Sequence, residues 1–416
     1  MHSKQLGRLV CCVCALGLFI DGYDLYISAI AEPFITQQFH PTPLMQGLIQ
    51  AVAPLGAMTG AIIMGRVADK VGRKGMLVAN LIFFVIIAVL SALAWDLPSL
   101  CLFRFFIGFG VGADYPIVAA YLAEMIEPSK RAKAMAFVMF VNCLASPVGA
   151  LVAWGVFSLY PHLDAWRFLF ALGAFPAMVG LALRARLPES LTWRAQQRLL
   201  AKEPKQYHRV LSNQYFSKTI ALCACWFFMD IAYYGIGLFT PTILHALHIS
   251  SGANFLENAP DVIRSTLFFN SFIMLGAFSV IFVIQRVNLV SLQKLGFAMG
   301  FAGMVCMAVN PSFAMVFFGF ALFNFFINFG PGITTYYLPT VIYPPAIKAT
   351  GHGLASGFGK LGAVVGTLFL PWLMHTLDIY KTLALLSLTL LIGYNLTNFL
   401  TDMPSIQGES DAIPVK

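Results

Sequence analysis

Charged residues are scarce in this sequence: 26 Lys or Arg and 18 Asp or Glu among 416 residues, 11% of the chain, against about 25% in an average soluble domain. So few charges cannot clothe a water-facing surface. The 59% hydrophobic content and mean hydropathy of +0.79 also exceed what a soluble core requires. Metal-ligand spacing is missing as well. The eight cysteines, at 11, 12, 14, 101, 143, 223, 225 and 306, lie in or beside apolar runs and read as packing residues. His245 and His248 can share a helix face, but their only acidic neighbours are Glu257 and Asp261, so the set reads as a loop, and no metal or other cofactor is expected. There is no basic patch interleaved with aromatics, which excludes nucleic acid as a partner. Gly108, Gly110 and Gly112 are spaced like a nucleotide loop but follow no strand; their small size is read instead as letting two helices approach. Nor do a nucleophile, a base and an orienting group occur at the spacing an enzyme needs.

Long apolar runs are what the sequence has instead. A segment of about 20 residues crosses roughly 30 Å of hydrocarbon. Runs of that kind predict twelve membrane helices, near 9–31, 46–67, 76–94, 98–122, 133–158, 165–185, 218–244, 264–285, 293–310, 313–338, 350–373 and 380–401. The first lacks a small-residue cleavage site and reads as a retained helix. The fold class expected is an all-α membrane protein with twelve transmembrane helices in two six-helix bundles, 1–185 and 218–402, joined by a linker at 186–217 and followed by a tail at 403–416.

The polar stretch from Arg184 to Lys218 carries eight basic residues against Glu189 and Glu203. Basic residues also gather in the loops that hold Arg66, Lys70, Arg73, Lys74, Lys130, Arg131, Lys133, Arg286 and Lys294. Short cytoplasmic loops collect Lys and Arg, so these loops and both termini are expected in the cytoplasm of a plasma (inner) membrane. Gly65-Arg66-Val67 after the second helix is faintly echoed by Gln285-Arg286-Val287 after the eighth, and Asp24 in the first helix has a counterpart in Asp230 of the seventh. Two halves around a midplane site are implied.

Three carboxylates stand inside apolar runs: Asp24 in Leu9–Ile30, Asp114 in Leu100–Leu122 and Asp230 in Ala221–Leu244. A charge at the bilayer centre costs about 2.5–3.5 kcal/mol or more, so such a residue marks a substrate or proton path. Trp226, Asp230 and Tyr234 are four apart in succession and share one helix face. The reading is a proton-coupled transporter, not an enzyme.

The turn Gly65-Arg66-Val67-Ala68-Asp69-Lys70-Val71-Gly72-Arg73-Lys74 resembles the loop signature of the major facilitator superfamily. That resemblance implies that Asp69 and Arg73 are gate residues. Glu124 and Arg131 resemble a second gate pair, and Leu187-Pro188-Glu189-Ser190 is similar to the turn after the sixth helix of sugar porters. Three further stretches resemble the phosphate:proton symporter family: Gly108 to Pro116, containing Asp114-Tyr115-Pro116; Trp226 to Tyr234; and Asn328-Phe329-Gly330-Pro331 with Gly351-His352-Gly353 through Lys360.

By that resemblance Tyr115, Trp226, Asp230 and Tyr234 contact the substrate and Lys360 supplies a cation. Two amides depart from the family pattern. A family Gln aligns with Asn142, and a family Asn aligns with Gly332, which opens the expectation of a larger or differently shaped anion. Dihydrogen phosphate carries P–OH donors that an ionised carboxylate accepts, while Tyr hydroxyls and a Trp indole donate to its oxygens. The resemblance also places Asp24 beside Arg104 as the proton-coupling pair, and Asp114, ten residues or about 15 Å beyond Arg104 by helix rise, reads as a second proton stop. Protons and a small-molecule anion are the expected partners, together with the lipid bilayer and no obligate protein partner.

Alternatives stand beside phosphate. Asp21-Gly22-Tyr23-Asp24 resembles the aromatic-acid:proton symporters, so an organic acid is a second candidate substrate and a sugar a third. A sensor that keeps the fold without transport is a different class again.

Overall fold

The computed structural model describes residues 3–200, 210–240, 243, 255–309 and 312–400; His245, His248 and the 403–416 tail lie outside them. The described residues form α1 (Ser3–Phe39), α2 (Pro43–Val71), α3 (Arg73–Ala92), α4 (Leu97–Met125), α5 (Pro128–Leu159), the pair α6 (Ala165–Leu172) and α7 (Ala174–Arg184), and α8 (Leu191–Leu200). They continue with α9 (Phe216–Leu238), α10 (Phe255–Val283), α11 (Leu289–Val309), the pair α12 (Phe313–Phe329) and α13 (Pro331–Ile342), α14 (Lys348–Leu377) and α15 (Ile379–Leu396). Among the described residues eleven spans are long and apolar enough to cross a membrane, with α6 and α7 counting as one and α12 and α13 as another; the apolar part of α10, Leu267–Val283, makes a shorter twelfth.

Each expected segment has its helix, but α1 is longer than the apolar run that predicted it. Its polar end is held by side chains: Thr36 donates to Glu32 at 3.0 Å, and Gln38 bridges to Asp164 at 2.8 Å and to the Trp166 indole at 2.8 Å. These bonds let the helix outrun its hydrophobic stretch. The linker also holds a helix, α8, that the sequence reading left out.

Helix ends follow local chemistry. Asp96 and Ser99 form a capping box at the start of α4. Pro331 at the first position of α13 breaks its alignment with α12 at Gly330. Between α2 and α3 the chain turns in one residue, Gly72, with φ +116°, a conformation open to glycine. A Cβ there would also meet Glu189 Oε2 at 2.5 Å.

Small residues draw the membrane helices together, as expected where lipid removes most of the hydrophobic drive. The stripe of Gly108 and Gly112 lies on α2: added Cβ atoms would fall 1.9 Å from Ala53 O and 2.0 Å from Ala57 O. The sequence reading of those glycines as packing residues fits this approach. Halves of the molecule meet along α2 and α14, where Gly47 faces Leu368 O, Gly353 faces Ala61 O and Gly65 faces Ala349 O. They meet again along α5 and α10, where the Phe140 and Phe278 rings lie 5.3 Å apart and Gln285 donates to Ser129 O at 2.7 Å. The end bearing the basic loops is called the basic end below, and the other the far end.

Candidate functional site

At the middle of the molecule α9 and α14 pack backbone to backbone. Cβ atoms on Gly362 and Gly366 would come within 2.1 and 2.3 Å of Phe227 O and Ile231 O, and one on Gly359 within 2.4 Å of the Trp226 ring. This contact brings Lys360 to the shared face of Trp226, Asp230 and Tyr234. Lys360 Nζ donates to Tyr234 OH at 2.6 Å and pairs with Asp230 Oδ2 at 3.1 Å. The same ammonium stands 4.8 Å from the Tyr115 ring centroid and 4.3 Å from that of Tyr234. Tyr115 reaches in from α4, its ring 6.4 Å from that of Trp226. All five side chains are buried. The cluster therefore offers one cation, one carboxylate, two phenols and an indole in an enclosed space, a donor-rich set with a single strong acceptor.

The N-terminal half holds two more ion pairs. Asp24 Oδ1 lies 2.6 Å from Arg104 Nη1, and the Arg104 guanidinium sits 5.0 Å over the Phe170 ring. Asp114 is clasped by Arg184, whose Nη1 donates to Oδ1 at 2.9 Å and whose Nη2 reaches Oδ2. Asn80 adds a donor to Oδ1 at 2.9 Å, and Arg184 also bonds Leu77 O at 2.9 Å. Gly17 makes room, since a Cβ there would overlap the Arg184 guanidinium.

Asp21, one turn on, is buried near all three pairs, within electrostatic reach of Asp114, Arg184, Asp24 and Lys360. Its Oδ2 has no hydrogen-bond partner. The Asn142 amide donates to Leu18 O at 2.6 Å and ties α5 to α1.

The basic end is held by a network of ion pairs and hydrogen bonds. At the basic end Arg73 Nη1 meets Asp69 Oδ1 at 2.9 Å and Nη2 meets Glu124 Oε1 at 2.8 Å. Asp69 Oδ2 accepts from Thr350 N at 2.7 Å and Thr350 Oγ1 at 2.6 Å, so a carboxylate of one half sits on the N-terminus of α14 in the other. Glu189 caps the N-terminus of α3 by accepting from Arg73 N and Lys74 N, and α8 grips the turn through Trp193 and Gln197, which both donate to Asp69 O. At the far end the Tyr26 and Tyr233 hydroxyls are bonded at 3.2 Å, above a small cavity lined by Tyr234, Ile273 and Asn324 among others.

Toward the basic end from Trp226 the aromatic packing continues. The His352 ring lies 5.6 Å from that of Trp226 and 5.0 Å from that of Tyr336, which in turn lies 5.9 Å from Tyr115.

The profile of the Major Facilitator Superfamily matches residues 14–401. The chain belongs to that superfamily. It is thus a multi-pass membrane transporter of small molecules and not an enzyme. Among curated relatives, the probable inorganic phosphate transporter 1-12 of Oryza sativa subsp. japonica is 26% identical over 85% of this chain and 79% of its own. Low affinity inorganic phosphate transporter 4 of Petunia hybrida is 24% identical over 94% and 88%. Among solved structures, the proton:xylose symporter XylE, bound to 6-bromo-6-deoxy-D-glucose, superposes with a TM-score of 0.81 at 16% identity, over 98% of this chain and 99% of that one. The human organic anion transporter MFSD10 gives 0.72 at 15% identity, over 94% and 99%.

Within this superfamily fold, several sequence expectations need correction. Glu124 takes Arg73 as its cation, not Arg131, whose Nε donates to Ile126 O at 3.2 Å. The turn at Gly72 carries Arg73 under α4, whereas Arg131 starts the next helix and faces elsewhere. Arg184 is not a linker cation but the buried partner of Asp114. A Cβ on Gly332 would lie 3.1 Å from Ile327 O and 3.5 Å from Asn328 Oδ1. The residues that sequence reasoning missed are Asn80, Arg184, Tyr336 and, as a site residue, His352. Only His352 had a local signal, an imidazole within an apolar helix.

Proposed function

We propose that this transporter is a proton-coupled symporter of inorganic phosphate in the plasma membrane, with its basic end and both termini cytoplasmic. The observation that carries the reading is the Lys360–Asp230–Tyr234 cluster, enclosed with Tyr115 and Trp226. Dihydrogen phosphate matches it group for group. A P–OH donates to Asp230, and the phosphate oxygens accept from Lys360, the two phenols and the Trp226 indole. Sulfate has no proton to offer the carboxylate, and an unpaired buried acceptor costs about 1–3 kcal/mol. The names of the curated relatives point to the same substrate.

Coupling follows from Asp24. When Asp24 takes a proton it releases Arg104, a group held to it at 2.6 Å, and the helices of the N-terminal half lose one of their ties. The halves then rock about the central site, the Asp69–Arg73–Glu124 lock opens, and phosphate and proton leave to the cytoplasm. Asp114, paired with Arg184, is the second proton stop.

Purified protein in liposomes with an acidic exterior should accumulate labelled phosphate and be competed by arsenate, with sulfate inert. Accumulation of benzoate or glucose without phosphate would replace this reading with an organic-acid or sugar symporter. Binding without accumulation would make the chain a sensor.

A further inference from the structure

Two polar atoms sealed beside Trp226 have no partner: His352 Nδ1 and the Tyr336 hydroxyl. Both residues are fully buried, and native proteins rarely leave such groups unsatisfied. The imidazole tautomer is fixed by its other nitrogen. His352 Nε2 is 3.0 Å from Tyr336 O, a carbonyl that only accepts, so Nε2 carries the hydrogen and Nδ1 presents a bare lone pair. The Tyr336 hydroxyl is free to donate. The acceptor and the donor belong to rings whose centroids lie 5.0 Å apart.

Their position along the path is defined. His352 lies two residues from Thr350, which the Asp69 lock holds, and about 12 Å by helix rise from Lys360. Trp226 stands between, in ring contact with both Tyr115 and His352. Tyr336 belongs to the C-terminal half but faces the seam, touching Tyr115 and lying within electrostatic reach of Cys14, Asp114 and Asp21.

We propose that His352 and Tyr336 form a second, transient binding station for the hydrogen-bearing oxyanion, on the cytoplasmic side of Trp226, which takes it from the Lys360 site during release. A protonated oxyanion donates its X–OH to His352 Nδ1 and accepts from Tyr336 at a neighbouring oxygen. The station is neutral, so it holds the anion weakly and does not trap it. The inference rests on the phosphate reading above but adds a site that the reading does not need.

The test uses the full-length protein in oriented proteoliposomes, with inorganic phosphate as the probe and its half-saturation concentration measured separately from each face. Tyr336→Phe removes one hydroxyl and keeps the ring packing. His352→Leu removes both nitrogens, while His352→Gln restores a donor and an acceptor. The expected result is that Tyr336→Phe and His352→Leu each raise the half-saturation concentration at the cytoplasmic face at least fivefold, leave the outer face within twofold, and that His352→Gln recovers most of the loss. Equal shifts at both faces would show that the pair merely braces Trp226, and no shift at either would show that it is silent; either result overturns the station while phosphate symport stands. If wild-type protein moved no phosphate from either face, both readings would fall together.

Discussion

Arg184, the last residue of α7, closes on Asp114 in the middle of α4 with two guanidinium nitrogens, and Asn80 of α3 seals the same carboxylate. Three helices of the N-terminal half are thereby joined at one buried charge. The C-terminal half has its own pair in Lys360 and Asp230. The difference lies in what surrounds each. Asp114 is met by a fork of donors, whereas Asp230 pairs with an ammonium that also serves Tyr234 and two aromatic faces, with the Trp226 indole beside it.

That contrast predicts a structural role for Asp114 and Arg184. Removing one member of a buried pair strands the other, at about 3–5 kcal/mol, whereas replacing both by apolar groups is often close to neutral. Arg184→Met alone should therefore lower the thermal unfolding midpoint in detergent sharply. Asp114→Leu combined with Arg184→Met should recover most of it. A single variant as stable as wild type would remove the pair from the account of how this half holds together.

The lock at the basic end predicts a population shift. Asp69 contributes both to the ion pair with Arg73 and to the N-terminus of α14, and a charge at a helix N-terminus is worth about 0.3–1 kcal/mol on its own. Asp69→Asn should favour the state open at the basic end by about tenfold, the equivalent of about 1.4 kcal/mol. A cysteine placed at Ser356, fully buried here, reports this through its maleimide labelling rate from the side of the basic end. An unchanged rate would mean that the lock is held by other contacts.

Lys360 is predicted to tolerate no replacement. Its Nζ fits a cage formed by Asp230, Tyr234 and the Tyr115 ring. A planar guanidinium of greater reach and width cannot fit the same cage. Lys360→Met and Lys360→Arg should each reduce phosphate uptake at least a hundredfold while the protein still reaches the membrane. Substantial uptake by Lys360→Arg would show that any positive charge at this height suffices.

Much of this architecture is legible in the sequence because its signals are local. Apolar runs give the spans, four-residue spacing puts Trp226, Asp230 and Tyr234 on one face, and a glycine between Asp69 and Arg73 forces a turn that lets the two side chains meet. Arg184 escaped because it stands at the edge of an apolar run, where a loop cation and an inward-facing one look alike until α4 supplies Asp114. Pairing Glu124 with Arg131 came from a family resemblance, but the turn at Gly72 delivers Arg73 to Glu124. Tyr336 and His352 carry no spacing signal at all, since they come from different helices and meet only because Pro331 starts α13 afresh against α14.

Asp24 carries the last prediction. Its carboxylate and Arg104 neutralise each other at 2.6 Å, and the Phe170 ring covers the guanidinium. Asp24→Asn keeps the shape and removes the charge that a proton would otherwise remove, so the variant resembles the protonated state at every pH. Exchange of internal for external phosphate needs only the loaded carrier to rock, and should survive within a few fold of wild type. Net accumulation needs the carrier to sense which side is acidic, and should vanish. If Asp24→Asn still concentrated phosphate under an imposed pH gradient, the coupling proton would have to bind elsewhere, and Asp21, whose Oδ2 has no hydrogen-bond partner, would be the next residue to replace.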